Sequence, residues 1–69
     1  MAAQTQISSG EALRHLRALA GLTLQEVANE ADTSVAYLSK VERSVLTPSD
    51  EYVAKIAGAL SLSIMRLAA

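Results

Sequence analysis

The sequence predicts an all-α domain, compact and built of five helices, and three observations predict it. Apolar residues recur at spacings of three and four through successive segments of the 69-residue chain, the period of helices with one buried face. Hydroxyl residues followed three positions later by glutamate, Ser8 with Glu11 and Thr23 with Glu26, mark two helix starts. Composition agrees: 51% of residues are apolar but 3% are aromatic, so the residue types that strands favour are sparse.

A chain of this length makes one domain. Residues 1–7 read as a short, flexible polar arm and 8–69 as the domain. Ser8 opens the first helix as a capping box with Glu11, and Ile7 with Ala12 can staple its entry. Leu13, Leu16 and Ala20 form its buried stripe, and Gly21 stands where a C-cap glycine belongs. Leu19 falls off the stripe as a lone surface leucine, and Arg14 and Arg17 leave on the polar side. Thr23 caps the second helix, with Glu26 closing the box and Leu22 and Val27 as staple. Leu24, Val27, Ala28 and Ala31 are its apolar positions. The pattern then breaks: Asp32 tolerates the left-handed conformation that ends a helix, and Ser34 is a ready N-cap.

The third helix turns Leu38 and Val41 inward and leaves Val35, Ala36, Ser39, Lys40 and Arg43 outside. In the connection that follows, Leu46 is expected to tuck under the fold and Val45 to stay open. Thr47 caps the fourth helix, with Pro48 at its first position and Asp50 in its first turn. Tyr52 or Val53, Ile56, Ala57 and Leu60 continue the inward stripe, and Gly58 is a weak point costing about 1 kcal/mol against Ala. Ser61 and Ser63 offer caps for a fifth, short helix holding Ile64, Met65 and Leu67.

Two helices joined by so short a turn, the second with an uncommitted outer face, have the geometry that fits a major groove. The residues LTLQEVANEA, the Ser-x-x-Tyr-Leu-Ser after the turn, and KVER resemble the helix-turn-helix of the lambda-repressor-like family. That family includes Cro proteins and xenobiotic-response-element-type regulators, and the resemblance extends from about Glu11 to Leu67. It implies a five-helix domain with the helix-turn-helix at helices 2 and 3, acting as a sequence-specific DNA-binding transcriptional regulator. Ser34 to Arg43 would be the recognition helix.

In this motif the first residues of the second helix face base edges. Val35 and Ala36 can offer apolar contact to a thymine methyl, Lys40 can reach guanine O6 or N7, and Ser39 can hydrogen-bond a base. Thr23, Gln25, Ser34, Tyr37 and Arg43 are the expected phosphate contacts, although half-buried packing is the first reading of Tyr37. The resemblance also implies an ion pair between Arg17 and Glu42 that ties the reading helix to the scaffold. Three departures stand out. Leu24 replaces a common Gln and removes one phosphate contact, Ser44 replaces Gly and disfavours a left-handed turn, and Val45-Leu46 removes a backbone-phosphate contact.

Composition narrows the remaining classes. There is no Cys, hence neither disulfide framework nor thiolate metal site. No apolar run approaches the ~18 residues that span a bilayer, and no signal peptide opens the chain; a cytoplasmic protein without membrane contact is expected. No catalytic constellation, phosphate loop or metal-ligand cluster is present, and His15 is the one histidine. No enzyme activity, cofactor or small-molecule substrate is therefore expected. The partners are double-stranded DNA and a second copy of the chain, since one module offers few base contacts. The net charge of −1, with a pI near 5.6, departs from the basic footprint of nucleic-acid binders. Two rival readings follow: an antitoxin with a toxin partner, and a helical interaction module that has lost DNA binding.

Overall fold

The computed structural model describes residues 7–68, and over them the chain forms four helices. These are α1 (Ser9–Ala20), α2 (Leu24–Ala31), α3 (Val35–Glu42) and α4 (Asp50–Ala68). No strand occurs among the described residues. The arm expected over 1–7 falls outside them except for Ile7, which is exposed.

The expected fifth helix does not exist. The segment after Leu60 continues α4 without a break, so the described residues form four helices rather than five. Serine in a helix interior costs only a few tenths of a kcal/mol, and no proline interrupts the run. Ile56, Leu60 and Ile64 keep the four-residue spacing, and Ile64 packs on the core, so one continuous helix carries the stripe. The start of α4 also differs from expectation. Ser49, not Thr47, accepts the capping hydrogen bond, from the Tyr52 N–H at 3.1 Å. This register puts Asp50 and Glu51 in the first turn, where the helix dipole favours both charges.

The other caps are local and reciprocal. Ser8 Oγ accepts from the Glu11 N–H while Glu11 accepts from the Ser8 N–H, and Thr23 with Glu26 repeats the arrangement. Gly21 at φ 71° closes α1 in the left-handed conformation. Asp32 closes α2 at φ 55°, and Ser34 accepts from the Tyr37 N–H to start α3.

Ser44 does adopt the left-handed turn that its replacement of Gly disfavoured, at φ 62°. Two bonds close that turn, Ser44 N–H to Val41 O and Val45 N–H to Lys40 O. The Ser44 hydroxyl also meets the Ser8 hydroxyl at 2.7 Å, a contact that glycine cannot make and that offsets the strain.

Leu13, Val27, Leu38, Val41, Ile56 and Leu60 are fully buried and form the centre of the core. The helices pack α1 on α4 and α3, and α2 on α4 and α3. At one crossing no side chain separates the backbones: a Cβ on Gly10 would overlap the carbonyl oxygen of Val41. Leu46 packs against the core and Val45 is exposed. No helix among the described residues is long and apolar enough to cross a membrane.

Candidate nucleic-acid interface

Helix α3 is held from behind and open in front. Leu38, Val41 and Glu42 are its buried residues, confined to one side of the helix at about 100° per residue. The opposite side carries Ala36, Lys40 and Arg43, all exposed, with Ser39 half-buried beside them. Val35 and Tyr37 flank this surface. Val35 corrects the sequence reading, which left it outside: it is half-buried and packs on the core, because it borders the Leu38 stripe.

Glu42 is the one charged residue in the buried set, 5% exposed, and Arg17 of α1 meets it through two parallel bonds. Arg17 Nε donates to Glu42 Oε2 and Nη2 donates to Oε1, each at 2.8 Å. Arg17 Nη1 donates as well to the Leu22 carbonyl at 2.9 Å, so one guanidinium joins α1, the entry to α2 and the end of α3. Hydrogen bonding to Glu42 holds the guanidinium above its already high ordinary pKa, against the opposing effect of burial. A fork-to-fork pair fixes orientation as well as distance, which sets the roll of α3 about its axis.

The hydroxyls at the helix starts cap their helices without using their own protons. Thr23 and Ser34 accept from backbone N–H groups of Glu26 and Tyr37, at 3.1 and 3.0 Å, so their own O–H protons remain available to a phosphate. The Thr23 backbone N–H, by contrast, is already taken by the Glu26 carboxylate at 2.8 Å, an internal anion at the N-terminus of α2. Gln25 is exposed and donates to Asn29 at 3.0 Å, and Arg43 folds back towards Ser39 at 3.3 Å. The residues expected at a DNA surface thus fall into one group on α3 and a second at the start of α2.

Two features lie outside the expectations drawn from the sequence. Thr33 in the turn shares a hydrogen bond with Tyr52 of α4 at 3.1 Å, and the Tyr52 ring meets the Tyr37 ring edge-on, centroids 4.9 Å apart. Burial pushes the Tyr52 phenol pKa up, with the Thr33 bond pulling the other way. Lys55, one turn on, donates to the Asp32 carbonyl at 3.3 Å. Helical periodicity does not pair residues 15 or more positions apart. Gly10 is the other omission, and it carried a signal: glycine inside a first helical turn is costly unless something must come close.

The helix-turn-helix family profile matches residues 13–67. The chain is also 41% identical over 64 residues to the transcriptional regulator ClgR of Mycobacterium tuberculosis, in both strain CDC 1551 / Oshkosh and strain ATCC 25618 / H37Rv. The match covers 93% of this chain and 57% of each relative, so the chain spans a little over half the length of the curated proteins it matches. No solved structure matches at comparable significance.

Proposed function

Since the chain belongs to the helix-turn-helix family of the lambda-repressor and Cro type, we propose that it is a DNA-binding transcriptional regulator whose α3 lies in the major groove. The observation that carries this is the exposed flank of Ala36, Lys40 and Arg43 on a helix whose other side is locked by Arg17 and Glu42. Ala36 and the outer edge of Val35 meet thymine methyls, and Lys40 reaches guanine, with Ser39 beside it. Arg43, Tyr37, Ser34, Gln25 and the Thr23 hydroxyl meet phosphates and set the register.

The test is fluorescence anisotropy on a duplex selected from random sequence by the wild-type protein. Lys40→Ala is expected to weaken binding to that duplex by about 1–3 kcal/mol and relax the preference at one position. Val35→Asp is expected to abolish it. Binding that survives both changes overturns the choice of reading face. With Lys40 of α3 and Arg43 at its C-cap as the cations of this face, log K should fall with log salt with a slope of about −2 per domain.

The working species in this proposal is a homodimer on half-sites about 34–36 Å apart. Leu62, Met65 and Leu67 of α4, each more than half exposed, and Val45 are the apolar residues available to the interface. A single-domain mass in sedimentation at high concentration would remove the dimer. The negative net charge and exposed Val45 favour one other reading, an interaction module without DNA binding. Salt-dependent retention on heparin separates the two.

A further inference from the structure

Helices α3 and α4 are not among the closely packed pairs, yet two aromatic rings bridge them. Tyr37 stands in the first turn of α3, on the flank of the exposed surface and 38% exposed. Its hydroxyl makes no hydrogen bond among the described residues, whereas its ring is fixed by the edge-on contact with Tyr52. Tyr52 is itself anchored, because its hydroxyl bonds Thr33 in the turn. Lys55 holds the preceding residue, Asp32, through its carbonyl. One face of α4 therefore grips the turn at two successive residues and the reading helix at a third.

We propose that Tyr52, which lies outside the two helices of the motif, is a positioning residue for DNA contact by Tyr37. Its ring sets the direction of the Tyr37 ring, and its hydroxyl fixes the turn from which α3 departs, so the free Tyr37 hydroxyl is aimed at a backbone phosphate. The inference rests on the DNA-binding reading and adds to it a residue that touches no DNA. The phenolic oxygen lies on the axis of a rigid ring, so an edge contact that fixes the direction of the ring also fixes the position of that oxygen.

The experiment is a double-mutant cycle in binding, using a duplex selected from random sequence by the wild-type protein. Measurements are made well below the melting temperature of every variant, with helicity checked by circular dichroism. Tyr37→Phe removes the hydroxyl and is expected to raise Kd about 2–10-fold, the value of one hydrogen bond. Tyr52→Leu removes the guiding ring and is expected to raise Kd by a similar factor. In the Tyr52→Leu background, Tyr37→Phe should then change Kd less than about twofold, because the hydroxyl is no longer aimed. Tyr52→Phe keeps the ring and should restore most of the effect of Tyr37→Phe.

A purely structural role for Tyr52 would lower stability yet leave the Tyr37→Phe effect at full size in the Tyr52→Leu background, and that additivity overturns the proposal. So does an unchanged Kd in Tyr37→Phe. Failure of the wild-type protein to select any duplex would instead refute the DNA-binding reading itself, and with it this inference.

Discussion

Replacing Arg17 by methionine removes three hydrogen bonds and leaves a carboxylate behind. Two of the bonds run to Glu42 and one to the Leu22 carbonyl, all between 2.8 and 2.9 Å. Glu42, at 5% exposure, has no route to water without displacing the end of α3. Breaking a buried pair by removing one partner costs about 3–5 kcal/mol. The Arg17 side chain is 19% exposed, so solvent already screens part of the attraction and the lower end, about 3 kcal/mol, is expected. At this chain length each kcal/mol moves the melting temperature by about 4–8 °C, which puts the shift at about 12–24 °C. A single small core supplies only about 3–5 kcal/mol in all, so a loss of about 3 kcal/mol leaves about 0–2 kcal/mol and a marginal fold. The double replacement Arg17→Met with Glu42→Leu removes the stranded charge and should recover most of the loss, since an apolar pair can fill such a site. Thermal melts followed by far-UV circular dichroism decide the matter. A shift under about 4 °C for Arg17→Met, or a double variant no better than the single one, would refute the reasoning.

Four further outcomes are expected. Gly58→Ala should stabilise the domain by about 0.5–1 kcal/mol, read as a higher urea midpoint, because the position is helical, exposed and open to a methyl group. Gly10→Ala should do the opposite, losing about 1–3 kcal/mol or more, because the added carbon collides with backbone rather than with a side chain that can swing away. At Ser44 the order of melting temperatures should be Gly at or above Ser, and both above Ala, since alanine keeps the left-handed strain and loses the bond to Ser8. Tyr52 has a raised phenol pKa in the folded state, so its contribution is full below the ordinary value of about 10 and is lost as pH climbs from there towards the raised one; denaturant titrations of Tyr52→Phe should show a shallower decline over that range.

What the sequence made legible was local. Both capping boxes, Gly21 and Asp32 depend on residues within one turn of each other, and their chemistry does not wait for tertiary contacts. The inward stripes were equally readable, since Leu13, Val27, Leu38, Val41, Ile56 and Leu60 stand at helical spacing. Errors came where two local signals competed. Thr47 and Ser49 both offer a hydroxyl to start α4, and Ser49 takes the bond. Ser61 and Ser63 resembled caps, but a serine is also an ordinary helix residue, and the continuous stripe through Ile64 won. Val35, expected outside, is half-buried because a residue at the border of a stripe is half in and half out. The contacts between Ser8 and Ser44, Gly10 and Val41, and Thr33 and Tyr52 link distant segments, and no periodicity encodes them.

The bare seat between Gly10 and Val41 has a mechanical consequence. Side chains can rock between rotamers and give a helix some play, but two backbones in contact have none to spend. The pitch of α3 is therefore inherited from the first turn of α1, on the same rigid mount that Arg17 completes from the other end. On the proposed reading of α3, such a surface would arrive at DNA with its shape already set, and the freedom surrendered on association would lie in the tips of long side chains such as Lys40 and Arg43 rather than in the chain that bears them.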